Sequence, residues 1–135
     1  MWRTIGSVLA GLVAWAVVIT VLNLGLRAFI PGYHAAEATL QFDLAMKAGR
    51  LIEAALTSVS AGVVVGLIGP FRRWAPCLVG LIILAMFLPV HVSLWSKFPV
   101  WYHLAFLVPL VPLVAVGGWL GRSIGVSRQR PTAAI

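Results

Sequence analysis

Four long apolar runs organise the chain. The first extends from Ile5 to Leu26 without a charge, and the others occupy Leu51 to Ile68, Pro76 to Leu94 and Val100 to Leu120. At about 1.5 Å per residue the first run reaches about 33 Å, enough to cross a hydrocarbon core about 30 Å thick. Each run is predicted as a membrane-spanning helix. A secretory signal competes for the first, because Arg3 precedes it. The run is longer than the apolar core of such a signal, roughly 7–15 residues, and no convincing cleavage site follows, so the segment is expected to be retained.

Turn-forming residues mark the limits of the runs. Pro31 and Gly32 follow the first; Gly69 and Pro70 end the second, and Arg72 and Arg73 come at once in what should be a tight hairpin. Pro76 and Pro99 stand where the first turn of a helix tolerates proline. Pro89, Pro109 and Pro112 lie inside apolar runs, which predicts bent third and fourth helices. Trp2, Trp74, Trp95, Trp101 and Trp119 fall near run ends, as expected of an aromatic belt at both interfaces, and Trp15 alone lies mid-span.

Between the first two spans, Ala35 to Gly49 contains no proline and many helix formers, with Asp43 and Lys47 spaced as an i, i+4 pair. A helix over about 35–50 is predicted, either flat at the interface with a bend at Gly49 or, as Arg50 and Glu53 continue the same ladder, running outward from the second span. The predicted fold class is therefore all-α, a bundle of four transmembrane helices (about 5–26, 51–68, 76–94 and 100–120) with a helical outer extension before the second. It forms one domain over 1–121, followed by a flexible basic tail, 122–135.

Composition agrees with this class. Of 135 residues, 61% are hydrophobic and 10% charged, against roughly 25% charged in soluble domains; mean hydropathy is +1.04. Cys77 is the single cysteine, which excludes an intramolecular disulfide, a Cys-x-x-Cys redox pair and a thiolate cluster. The net charge of +7 is split among short loops rather than gathered on a solvated face, so the expected partner is anionic lipid of the bilayer and no nucleic acid. Arg3, Arg72, Arg73, Arg122, Arg128 and Arg130 share one side and Arg27, Lys47, Arg50 and Lys97 the other. The richer side is expected to be cytoplasmic, which puts both termini on the inner face of a bacterial plasma membrane.

Small residues recur at four-residue spacing in Ser58, Gly62 and Gly66, and again in Gly117, Gly121 and Gly125; Ser7 and Gly11, with Gly6, Ala10 and Ala14, give the first span similar ladders. Such faces let helices approach closely, within one bundle or between copies in a homo-oligomer.

Depth singles out the candidate chemistry. Counted from the cytoplasmic charge at the end of each span, Asn23, Glu53, His91 and His103 lie about 27 to 30 Å away, near the far edge of the core. Arg50 stands just beyond Glu53. Every acid and every histidine falls in the outer half or outside the membrane. At that edge Glu53 could pair with Arg50 and the histidines with headgroups, a purely interfacial use. Alternatively Glu53, with His91 or His103, could bind a cation, a proton or a small polar ligand, with Thr57 and Ser60 continuing a polar stripe inward. No spacing motif supports a metal or haem, and no cofactor is expected.

The stretch Pro99-Val100-Trp101-Tyr102-His103-Leu104, with Pro109, Pro112, Gly117-Gly118 and the Arg50 to Gly69 region, resembles small, uncharacterised bacterial four-helix integral membrane proteins, and the resemblance implies fold alone. Small multidrug transporters carry an essential carboxylate deep in the first helix, where this chain has none. Small fluoride channels have glycine and phenylalanine motifs that are absent. The absence of a charge at mid-membrane depth favours a non-catalytic structural or accessory subunit, alone as a homo-oligomer or within a larger membrane complex. The alternative is a small transporter or sensor with an outward-facing polar site centred on Glu53, and an enzyme ranks third.

Overall fold

The computed structural model describes residues 2–69 and 74–129, the last four by backbone alone. The Arg72–Arg73 hairpin and Arg130 lie outside the described residues. Among the described residues six helices follow one another: α1 Trp2–Phe29, α2 Tyr33–Thr39, α3 Leu44–Ile68, α4 Trp74–Ser93, α5 Val100–Leu107 and α6 Leu110–Gln129. Of the described residues, four segments are long and apolar enough to cross a membrane: α1, α3, α4, and α5 with α6 over Val100–Gly125. The fold is an all-α bundle with up-down-up-down connectivity. Leu9, Val13, Val17, Val21 and Leu24 form an exposed stripe on α1, which suits contact with lipid tails.

The tightest packing joins α3 to α6, two helices that run parallel. A Cβ on Gly62 would strike the carbonyl oxygen of Val114, and one on Gly66 that of Gly118; Gly117 and Gly121 stand equally close to the carbonyls of Val59 and Val63. Both glycine ladders are thus used against each other inside one chain, with backbone replacing side chain at the contact. Ser58 belongs to the same helix, fully buried, its hydroxyl donating to the Ala54 carbonyl. Gly125 and Gly6 have open space where a Cβ would go. Around the α3–α6 seam, Val65, Val79, Ile83, Leu110 and Val114 make the main core.

Two expectations change. The segment expected as one helix over Ala35 to Gly49 is divided: α2 ends where Leu40 takes φ 58 and its N–H bonds the Ala36 carbonyl, and α3 begins afresh at Leu44. Asp43 starts it, accepting the Met46 N–H at 2.8 Å; as an N-cap it serves the backbone rather than pairing with Lys47. The helix then continues through Gly49 into the span. Leu40 tolerates the left-handed conformation, which costs a side-chain-bearing residue about 1–2 kcal/mol, because its side chain packs on a cluster of Tyr33, Phe42, Met46, Phe98 and Tyr102. At the other end, residues 122–129 continue α6 instead of beginning a flexible tail.

Proline acts unequally. The fourth span breaks at Val108–Pro109 into α5 and α6, whereas α4 remains one helix through Pro89.

Candidate functional site at the distal polar layer

The end of the bundle away from both termini, here called distal, gathers the polar residues. Capping by Asp43 places Arg50 two turns into α3; the turn at Gly32, with φ 76, folds α2 back so that Tyr33 faces it. Arg50 donates from Nε to the Tyr102 hydroxyl at 3.2 Å and from Nη1 to the Tyr33 hydroxyl at 3.1 Å. Tyr33 donates to Asn23 Oδ1 at 3.4 Å, Asn23 Nδ2 to Glu37 Oε1 at 3.3 Å, and Glu37 Oε2 takes the Arg27 Nε hydrogen at 2.7 Å. Four helices, α1, α2, α3 and α5, are tied by this one network. The guanidinium also lies 4.8 Å from the centroid of the Phe42 ring, within cation–π reach. Burial raises the Tyr33 phenol above its ordinary value, with the Arg50 charge and hydrogen bond opposing.

Next to the network, His91 on α4 and His103 on α5 face each other with Nδ1 atoms 2.8 Å apart. One must donate and the other accept. His103 is fully buried, its ring stacked on Trp95 at 4.6 Å and 13°, and its Nε2 has no hydrogen-bond partner. Glu53 is only 7% exposed and its Oε1 is likewise unpartnered.

Two cavities flank Arg50. One, of about 240 Å³, is bounded by Arg50, His91, His103 and the rings of Phe87, Phe98 and Phe106. The other, of about 430 Å³, is bounded by Thr20, Asn23, Arg27, Glu37, Arg50 and Glu53. Arg50 and Glu37 line both.

Asn23, Arg50, His91 and His103 are therefore brought together at the distal end, and Glu53 lines the second cavity and not the first. The Arg50–Glu53 pair does not form: among the described residues, which include all three acids, the ion pair present is Arg27–Glu37. The polar stripe below Glu53 closes on itself, with the Thr57 hydroxyl donating to the Glu53 carbonyl and Ser60 to that of Leu56. Tyr33, Glu37 and Tyr102 are members of the polar network that residue depth did not reveal. The signal for Tyr102 was its position next to His103; Tyr33 gave none, because its place depends on the fold of α2. Among the described residues no three His, Cys, Asp or Glu side chains converge as a metal set. Comparison with protein-family models, curated proteins and solved structures finds no match for the chain.

Proposed function

We propose that this is a small non-catalytic protein of the bacterial inner membrane, with both termini cytoplasmic, that receives a small ligand at its outer face as a sensor or transporter does. The observation that carries this reading is the pair of cavities meeting at Arg50, each with a buried polar residue that has an unpartnered atom, His103 in one and Glu53 in the other. Buried polar atoms are ordinarily satisfied, and a site awaiting a ligand is one reason for an exception. The excess of arginine on the terminal side supports the orientation.

An accessory subunit would use the same bundle and leave the cavities empty. Native mass measurement of the full chain, released from its own membrane in mild detergent, separates the two. A small-molecule adduct on the wild type that disappears in Val90→Trp, which fills the smaller cavity, or in Thr20→Trp, which fills the larger, supports a ligand site. A bare mass, equal stability in all three proteins and a stoichiometric partner subunit would replace it with the accessory role.

A further inference from the structure

We propose that the smaller cavity binds a monovalent carboxylate carried on an apolar body, Arg50 taking the carboxylate and the aromatic wall the remainder. The proposal rests on the outer-site reading above and gives that site its ligand class.

The charge of Arg50 is permanent and has no counter-ion in contact. A guanidinium has five N–H donors; Nε and Nη1 each make one bond to a tyrosine hydroxyl, which is a neutral partner. Arg27 engages Glu37, Asp43 caps α3, and Glu53 lies within 4.0 Å of no basic nitrogen among the described residues. A guanidinium at the edge of the hydrocarbon core without an anion is costly. Its remaining N–H groups suit a carboxylate, whose two oxygens match the planar fork.

His103 bounds the cavity from behind its aromatic wall: the residue is fully buried, its Nδ1 meets His91 and its Nε2 is sealed from the open space. Arg50 is the cation bounding the cavity that has no counter-ion in contact, and Glu37 is engaged by Arg27, so the site fits one carboxylate and not a doubly charged phosphate.

Most of the remaining wall is apolar, and the Glu37 carboxylate within it is held by Arg27. Phe87, Phe98, Phe106, Val90 and Leu94 bound it, and about 240 Å³ sits just below the roughly 300 Å³ at which small-molecule sites begin. The ligand is accordingly compact, or long with only its head enclosed. Val90 is exposed on the outer surface of α4, so the apolar body can arrive from the leaflet as a fatty acid or from water as an aryl-alkanoic acid.

Titration calorimetry on the full chain in nanodiscs, with empty nanodiscs as reference, tests the class. The probes are 3-phenylpropanoate against 3-phenylpropanamide for a water-borne ligand, and laurate against dodecanol for a lipid-borne one. In at least one pair the carboxylate binds wild type ten-fold or more tightly than its neutral analogue, the pair showing it identifies the source, and Arg50→Gln abolishes the difference. Because the ligand comparison is made on wild type, it stands even where Arg50→Gln fails to fold. Equal affinity within both pairs, or no binding by any probe, overturns the carboxylate. If a neutral or cationic adduct is nevertheless seen by native mass measurement, the outer ligand site survives without this ligand class; if none is seen, both fall.

Discussion

Arg50 on α3 and Tyr102 on α5, distant in sequence, meet through a 3.2 Å bond from Nε to the phenolic oxygen. With the bond to Tyr33 it makes the guanidinium a clamp between the α1–α3 connection and the start of the fourth span. Lysine offers one point charge and cannot reproduce the two divergent donors. Arg50→Lys should therefore lower stability by about 1.5–3 kcal/mol, the usual range for bonds to charged groups. Tyr102→Phe should cost less. In thermal unfolding in detergent, the double variant should lose less than the sum of the single losses, since both remove the same bond.

The α3–α6 seam gives a sharper contrast. Gly62→Val places two methyls and a Cβ against the Val114 carbonyl, and Gly117→Val does the same at Val59. Both should be poorly expressed or fail to fold, with an overpacking cost of at least about 1–3 kcal/mol. Gly6→Ala and Gly125→Ala, where nothing lies within 4 Å, should express at wild-type level. Expression and monodispersity on a sizing column report the outcome.

At the α2–α3 break, Asp43→Ala removes the acceptor of the Met46 N–H. The expected loss is about 1 kcal/mol, and it should be local. Hydrogen exchange should speed up over 40–47 and remain unchanged across the α3–α6 seam.

The chain has two tyrosines, so phenol titration is readable. The Tyr33 phenol, raised above 10.0 by burial, should ionise later than an exposed tyrosine, and Tyr33→Phe should remove the late component from the ultraviolet titration. The raised folded value also sets the sign of the stability effect. The contribution is fully present below the unfolded phenol value and is lost as pH rises through the folded one, so the distal end should loosen only in strongly alkaline solution.

The apolar runs made the four spans legible because a segment that must cross lipid has a length fixed by the bilayer. That Asn23, His91 and His103 gather at one end of the bundle was legible for the same reason, since the constant rise of a helix converts a residue count into a height along its axis. Depth does not give azimuth. Whether Glu53 turns towards Arg50 or away depends on side-chain direction, and Arg50 instead reaches the tyrosines. The α2–α3 break was hidden because its residues favour a helix locally, while packing of Leu40 and Phe42 around Tyr33 and capping by Asp43 override that preference. Similarly, the four-residue glycine spacing announced close packing without saying between which helices, and contacts inside the chain occupy Gly62, Gly66, Gly117 and Gly121 while Gly125 stays open.

In the proposed orientation the distal polar layer opens to the outside of the membrane. Asn23→Cys in a Cys77→Ser background tests it most directly, because Asn23 lines the larger cavity. In intact cells a small, membrane-impermeant methanethiosulfonate should label this cysteine, while Val79→Cys in the same background, fully buried in the core, should stay unlabelled. Labelling of Asn23→Cys only after the cells are permeabilised, or protection under both conditions, would contradict the account.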